Sequence, residues 1–289
     1  MKDGGYRFRQ KDENLGILVR NCEEKATKVV KALEEFCRIP VDLIYCIGSP
    51  AAALSKAHIK GKDIPVVCTA CFDPVVLGLA NGYESSGNNI TGTCYRISVI
   101  DQIQSGLLGL VPELKTLGVV YHSGELQSEI QLDESQMACK KLGIELVSFD
   151  VHSDKDFSRA ADFFKSREVE AVFLVSDTCS ASASEDVLKE ITGKFPTLCG
   201  LISVIRKGGL VGRIADWDAI GQQAADMVLK ILHGSKASEI PIRKNPQART
   251  VLNMDTLNAL NLKPSKKFLS RIDERIRKST KTSAKQRKS

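Results

Sequence analysis

The sequence lacks any apolar run approaching the roughly 20 residues that a membrane-spanning helix needs. Its first ten residues, MKDGGYRFRQ, also lack the apolar segment of a secretory signal peptide. These absences predict a protein without a membrane span. They also predict that the chain, as written, stays in the cytoplasm where it is made.

The motifs of the common enzyme classes are missing as well. The chain has no P-loop, no GxGxxG dinucleotide fingerprint and no GxSxG nucleophile elbow. Its four histidines are scattered, and none belongs to a nucleophile–base motif: His58, His122, His152 and His233. Without a set of nucleophile, base and metal ligands, we predict that the protein is not an enzyme and uses no cofactor.

The nine cysteines are odd in number and scattered, which favours free buried thiols in a reducing setting over a disulfide framework. Cys68 and Cys71 form a CxxC, but no second pair with zinc-ligand spacing follows. A redox pair places its first cysteine at a helix N-terminus, whereas Cys68 falls in a predicted strand. We interpret both as small core residues and predict no metal site.

The positive charge is concentrated at the carboxyl end of the chain. Residues 266–289 hold ten lysines or arginines against two acids, whereas the whole chain has a formal net charge of +6. The body of the protein is therefore close to neutral. A nucleic-acid-binding protein carries its basic residues on the fold, so we predict no nucleic-acid partner.

Predicted strands and helices alternate along the chain. The strands are rich in apolar residues and are expected at Leu15–Val19, Leu43–Ile47, Ile64–Thr69, Leu117–Tyr121, Ile144–Phe149, Ala171–Val175 and Thr197–Leu201. Helical patterns fall near 23–36, 50–58, 99–109, 127–142, 155–167 and 180–192. This alternation predicts an α/β fold in which helices cover both faces of parallel sheets.

The strand–helix rhythm runs twice, over about 14–94 and 115–201, which fits one wide sheet or two similar lobes. A short strand, a long helix near 218–233 and a final strand–helix follow Gly208-Gly209. These elements follow the second strand–helix set, which suits a chain that crosses several times between two open parallel-sheet lobes.

Seven segments occur in an order that carries a family resemblance: VDLIYCIGSPAA, IPVVCTACFDPVVLGL, GNNITGT, LVPELKTLGVVY, EAVFLVSDTCSASA, GLVGRIADWDAIGQQAADMVLKILHG and IPI…LNMDTLNALNLKPS. Together they resemble the substrate-binding proteins of bacterial ABC transporters of the tryptophan/tyrosine type, over about residues 5–265. The resemblance implies a type I periplasmic-binding-protein fold with a ligand cleft between two lobes. It also implies a small ligand such as an amino acid, often aromatic, and an ABC permease and ATPase as partners.

The resemblance implies where each lobe lies along the chain. The first lobe would comprise 1–94 and 214–247, and the second lobe 95–213 and 248–268. Residues 269–289 would form a peripheral basic tail, and the segment FLSRIDERIRK is able to form a helix. In the family a strand and a helix precede the loop that here reads Gly5-Tyr6. We therefore expect Leu15–Val19 to match the family's second strand, and the first lobe to be incomplete and less stable than the second.

Two strand ends in the first lobe are candidate ligand contacts. Gly48-Ser49-Pro50-Ala51 predicts a helix with Ser49 at the N-cap and Pro50 first in the helix, which leaves free N–H groups suited to a carboxylate. The alternative is an ordinary capped turn. Phe72-Asp73-Pro74 has the same pattern, and Phe72 is either an aromatic stacking surface or a core residue.

Three further candidates lie at a crossover or at later strand ends. At the first crossover of the family, Thr91 and Gly92 would offer a hydroxyl and a close backbone approach. Ser176-Asp177 ends a strand, and Asp177 either pairs with an ammonium group or caps the next helix. Asp216-Trp217 contains the only tryptophan of the chain. Trp217 either forms one wall of an aromatic cage around the ligand or anchors the helix over 218–233 by packing. We expect Ser49, Asp73, Thr91 and Asp177 to line one cavity between the lobes.

These features favour a solute-binding component of an ABC-type importer that captures its ligand by hinge closure. The alternative is a ligand-sensing domain of a signalling system, cytoplasmic or derived from a fusion. The family is extracytoplasmic, either periplasmic or a lipoprotein, whereas the chain as written suits the cytoplasm. Neighbouring genes discriminate between the alternatives, since a permease and an ATPase indicate transport and a kinase indicates sensing.

Overall fold

The computed structural model describes residues 7–8, 16–23, 25–59, 61–245 and 247–277, with only the backbone for 7–8. The chain divides into two compact units, each built from two segments. Unit 1 comprises 1–96 and 217–246, and unit 2 comprises 97–216 and 247–289.

Unit 1 contains a main parallel sheet with helices on both faces and a separate two-stranded sheet. Its strands are β1 (Arg7–Phe8), β2 (Ile17–Leu18), β3 (Ile44–Ile47), β4 (Val66–Cys71), β5 (Ile90–Cys94) and β11 (Arg243–Lys244). Its helices are α1 (Ala26–Phe36), α2 (Ser49–His58) and α9 (Trp217–Leu232). The main sheet has the order β11-β5-β4-β3, and all its pairs are parallel.

Neighbouring residues of β4 show how the helices cover both faces of this sheet. Val66 belongs to one buried cluster with Leu33 of α1 and Ala52 of α2, whereas Val67 belongs to another with Met227 of α9. Successive side chains of a strand point to opposite faces, so the apolar run of β4 requires a helix layer on each side.

The beginning of the chain folds differently from the prediction. Residues 17–18 do not join the parallel sheet, but pair antiparallel with residues 7–8 in a separate two-stranded sheet. Leu15 lies outside the described residues. The expected parallel strand over Leu15–Val19 is therefore wrong in its pairing. Among the described strands, β3 pairs only with β4, and its Tyr45 and Ile47 are 41% and 69% exposed.

Unit 2 has a larger, mixed sheet. Its strands are β6 (Thr116–Tyr121), β7 (Glu145–Asp150), β8 (Ala171–Leu174), β9 (Thr197–Cys199), β10 (Val211–Ala215), β12 (Ala248–Asn253) and β13 (Glu274–Ile276), in the order β13-β12-β10-β9-β8-β6-β7. The β10–β12 pair is antiparallel, and the other pairs are parallel. The expected α/β fold with parallel sheets is confirmed, and this one antiparallel pair is an addition that the strand–helix rhythm does not predict.

The helices of unit 2 are α3 (Val99–Ser105), α4 (Leu126–Leu142), α5 (Asp154–Ser166), α6 (Thr178–Ser182), α7 (Glu185–Thr192), α8 (Ile202–Arg206), α10 (Met254–Ala259) and α11 (Lys266–Leu269). One core cluster joins buried residues of α3 and α4 to the inner strands, including Ile103, Leu117, Ala138, Phe173 and Leu198.

The stretch from 266 to 277 belongs to unit 2 and is not a peripheral tail. Phe268 is buried, and its ring lies so close to Gly109 that a Cβ there would be 1.9 Å from it. The segment FLSRIDERIRK, able to form a helix, is within its described residues helical only at 268–269, the end of α11, and residues 274–276 form β13 alongside β12. Two hydrogen bonds begin this pairing, Asp273 N–H to Thr250 O and Thr250 N–H to the Asp273 carboxylate. Residues 278–289 lie outside the described residues.

Candidate functional site

The turn between β3 and α2 is hydrogen-bonded to the turn that follows β4. Gly48 is the N-cap of α2, with a φ of +93° that favours glycine, and Ser49 is the first helical residue. The prediction that Ser49 caps the helix is therefore wrong. Its hydroxyl oxygen instead accepts a hydrogen bond from the Phe72 N–H at 2.9 Å. The N–H groups of Ser49 and Ala51 belong to the first turn, which has no acceptors within its own helix.

Asp73 holds the loop after β4 together. The residues after Pro74 form turns and not the predicted helix, and Asp73 accepts hydrogen bonds from the Val75 and Val76 N–H groups. Its second carboxylate oxygen accepts from the Tyr83 hydroxyl at 2.7 Å and from Arg96 at 3.3 Å. Because Asp73 is only 1% exposed, it positions its neighbours within unit 1.

Three rings form an aromatic group in unit 1. Phe72 meets Tyr95 edge-on at 5.8 Å between ring centroids, and Tyr95 meets Trp217 at 5.2 Å. Phe72 is buried, whereas Tyr95 and Trp217 are half-buried. The backbone N–H of Phe72 also donates to the Ser49 hydroxyl, which links the residue that begins this group to the first turn of α2. Tyr95 follows β5 directly, and the sequence interpretation overlooked it.

Thr91 and Gly92 lie inside β5 and not at its carboxyl end. Thr91 is fully buried and donates to Ile240 O at 2.8 Å. A Cβ at position 92 would lie 2.0 Å from Cys68 O, so Gly92 allows β4 and β5 to approach each other. Both residues have structural partners, and the half-buried residues at this strand end are Tyr95 and Arg96.

Cys68 and Cys71 are both fully buried in β4. The side-chain hydrogen bond with Cys71, followed by burial, raises the pKa of Cys68 well above its usual value. A thiol with a raised pKa holds its proton at neutral pH.

In unit 2, Asp177 lies between the carboxyl end of β8 and the start of α6. Its carboxylate accepts from the Ser180 N–H at 2.7 Å, as an N-cap, and from the Ser128 hydroxyl at 3.0 Å. Asp177 is 2% exposed. Burial raises its pKa to about 6, and the charge of Glu125 adds to this rise, while the hydrogen bonds oppose it.

Glu125 provides a second carboxylate at this edge, and sequence reasoning missed it. It precedes α4, is half-buried, and accepts hydrogen bonds from the N–H and the hydroxyl of Thr178. Gln131 fixes the adjacent backbone, because its side chain bonds both the N–H and the carbonyl of Ser176, at 3.0 and 3.1 Å. Two carboxylates, the buried Asp177 and the half-buried Glu125, therefore lie near the carboxyl ends of β6 and β8.

Asp216 is the last residue of the unit 2 segment and immediately precedes Trp217 in the chain. Both residues are half-buried. The predicted contacts thus fall into a unit 1 group (Gly48, Ser49, Ala51, Phe72, Asp73, Thr91, Gly92 and Trp217) and a unit 2 group (Ser176, Asp177 and Asp216).

Comparison with known proteins identifies the family. The model of the family described as "ABC transporter substrate binding protein" matches residues 1–276. The chain belongs to this family. It is therefore a substrate-binding protein and not an enzyme. Among the described residues, no helix is both long and apolar enough to cross a membrane.

Individual relatives agree with this assignment. The chain is 27% identical to a tyrosine-binding protein of Clostridioides difficile (strain R20291) over 263 residues, which cover 91% of this chain and 74% of the relative. It resembles an ABC domain from Streptococcus pneumoniae crystallised with L-Trp, with a TM-score of 0.80 and 24% identity over 88% and 85% of the two chains. A ligand-free, open substrate-binding protein from Clostridium difficile has a TM-score of 0.73 and 25% identity over 93% and 89%. These similarities support the predicted type I periplasmic-binding-protein-like fold.

Proposed function

We propose that this substrate-binding protein captures an L-amino acid with an aromatic side chain for an ABC-type importer. One observation carries the proposal: Ser49 at the start of α2 is hydrogen-bonded to the backbone of Phe72, whose ring begins the Phe72–Tyr95–Trp217 series. Helix N-termini bind carboxylates, and aromatic rings pack favourably against one another. This part of unit 1 therefore suits the carboxylate and the ring of one ligand.

The ammonium group of that ligand would interact with unit 2. Glu125 and Asp177 supply negative charge near the carboxyl ends of β6 and β8, where ligands of open α/β sheets bind. The names of two relatives support an aromatic amino acid, since one is described as tyrosine-binding and the other was crystallised with L-Trp.

In this proposal the ligand contacts both units only when they close around it, so that binding shifts the population towards a closed form. A permease and an ATPase would then act on that form, which places the protein outside the cytoplasm. X-ray scattering with and without ligand tests the closure, since the radius of gyration should fall on binding.

Calorimetry with matched compounds tests the ligand class. L-Trp, L-Tyr and L-Phe should bind. Tryptamine, indole-3-propionate and L-Leu should bind more weakly, because they lack the carboxylate, the ammonium group and the ring, respectively. At 100 times its Kd, a ligand should add about 2.7 kcal/mol to the free energy of unfolding. Equal binding of L-Leu and L-Trp would contradict the aromatic preference, and no binding by any amino acid would refute the proposal.

Trp217→Ala tests the aromatic group, with Leu229→Ala as its matched control on the same helix. Leu229 is 52% exposed and lies outside the aromatic group. We expect Trp217→Ala to weaken L-Trp binding by about tenfold, equal to about 1.4 kcal/mol, and Leu229→Ala to bind as the wild type does. Unchanged binding by Trp217→Ala would exclude this ring from the site.

A further inference from the structure

Two of the histidines that are scattered in the sequence lie together with an aspartate in unit 2. His122 directly follows β6, Asp150 ends β7, and His152 lies two residues further on. Tyr121 and Asp150 are paired across these neighbouring parallel strands. The register therefore brings side chains 28 to 30 positions apart to the same edge of the sheet.

The three side chains can converge on one point. One possible ligand atom from each residue lies within 4.8 Å of the others. The His152 Nε2 is 3.1 Å from the Asp150 Oδ2, and the two imidazoles meet edge to face at 4.7 Å between centroids. A metal about 2.0–2.2 Å from each ligand needs ligand atoms about 3–3.5 Å apart. His152 is exposed, and its side chain would have to rotate to bring all three ligand atoms to that spacing.

Structural hydrogen bonding does not account for the position of His122. Its Nδ1 is buried without a hydrogen-bond partner in the described part of the chain. Its ring lies over Gly124, where a Cβ would be 3.0 Å from both Cε1 and Nε2. The absence of a side chain at position 124 therefore makes room for an imidazole that has no structural partner on this nitrogen.

The backbone around the other two side chains is held in place. The Asp150 Oδ1 accepts from the Ser123 N–H at 3.0 Å, and the His152 N–H donates to Asp156 at 3.1 Å. An ionised carboxylate is the form that binds a metal.

We propose that His122, Asp150 and His152 bind a divalent transition-metal ion of the zinc class. Two imidazoles and a carboxylate suit Zn²⁺, whereas Ca²⁺ and Mg²⁺ take oxygen ligands. Three protein ligands leave at least one coordination position for water, so this is an open site. The proposal is independent of the amino-acid ligand proposed above.

Isothermal titration of the full-length, untagged protein with zinc chloride tests the proposal. We expect about one zinc ion per chain and no heat of binding with magnesium chloride. His122→Ala and His152→Ala should each weaken zinc binding by about tenfold or more, because even outer-shell changes have effects of about that size. Because His152 is on the surface, its variant remains informative if His122→Ala folds poorly.

His58→Ala and His233→Ala are the matched controls, since they remove the other two histidines, both exposed. Both should bind zinc as the wild type does. A cobalt titration separates this site from the nine cysteines, because thiolate ligands give a charge-transfer band that imidazole and carboxylate ligands lack. No zinc binding, equal weakening in the control variants, or a thiolate band would each overturn the proposal.

Discussion

Asp177 is subject to opposing influences on its ionisation, because it caps α6 and lies close to a second carboxylate. Its hydrogen bonds to Ser180 and Ser128 favour the charged form, whereas burial and Glu125 favour the neutral form. Burial prevails, and the pKa is about 6 against an ordinary value of 3.8. An ammonium group brought to this edge would reverse that balance, since opposite charge favours the ionised form.

The raised pKa of Asp177 gives stability a defined pH dependence. The folded protein holds this proton between about pH 3.8 and 6, whereas the unfolded chain releases it, so stability falls as the pH rises through that window. Asp177→Asn removes the titration and keeps a good N-cap residue. We expect the variant to gain on the order of 3 kcal/mol relative to the wild type between pH 4 and 7. Urea unfolding at each pH measures this difference, and parallel pH profiles of the two proteins would contradict it.

Other residues show why sequence alone finds only part of the site. The sequence indicated that Ser49, Phe72 and Asp177 lie near strand ends, because apolar runs and capping residues mark where strands stop. It could not indicate that Ser49 bonds the Phe72 N–H, 23 positions away, and not its own helix. Tyr95 and Glu125 were missed for the same reason, since their partners come from tertiary packing.

At the scale of elements, the close approach of β4 and β5 depends on Gly92. Gly92→Ala would place a Cβ 2.0 Å from Cys68 O, a backbone atom that cannot move alone. We expect a loss of about 3 kcal/mol or more in the free energy of unfolding, measured by urea titration.

Gly221→Ala is the matched control for this change. Gly221 lies within α9, and a Cβ there meets no atom within 4 Å. The same substitution should therefore stabilise the protein by about 1 kcal/mol, because alanine is the better helix former. Similar effects of the two substitutions would show that the strand approach is not restrictive.

The carboxyl-terminal elements show the limits of local pattern. The segment FLSRIDERIRK is able to form a helix by its local pattern, but residues 274–276 pair with β12 instead. The alternation of strands and helices predicted most of the α/β fold correctly, because parallel strands need apolar runs. The antiparallel return of β12 and the addition of β13 depend on long-range pairing, which periodicity does not specify.

At the scale of the whole molecule, the two units have unequal central strands. β4 of unit 1 has a register irregularity between Cys68 and Cys71, with Ala70 at a φ of +49°. β8 of unit 2 is regular, and all four of its residues are fully buried between β6 and β9. We therefore expect unit 1 to open more readily than unit 2, since local stability follows buried, regularly bonded structure.

Hydrogen exchange followed by mass spectrometry measures this difference. Amides of β4 should exchange faster than those of β8. The edge strands provide a second comparison, because β3 and β7 each have one partner among the described strands. Amides of β3 in unit 1 should exchange faster than those of β7 in unit 2. Slower exchange in β4 than in β8 would contradict the expected order.

The chain passes between the two units three times, and this has a consequence for the gene. Codons 1–96 and 217–246 encode unit 1, and codons 97–216 and 247–289 encode unit 2. No contiguous piece of the reading frame encodes either unit alone. A stop codon directly after codon 216 would remove α9 from unit 1 and β12 from unit 2, so one premature termination would damage both. Recombination could not duplicate or exchange either unit as a single DNA segment.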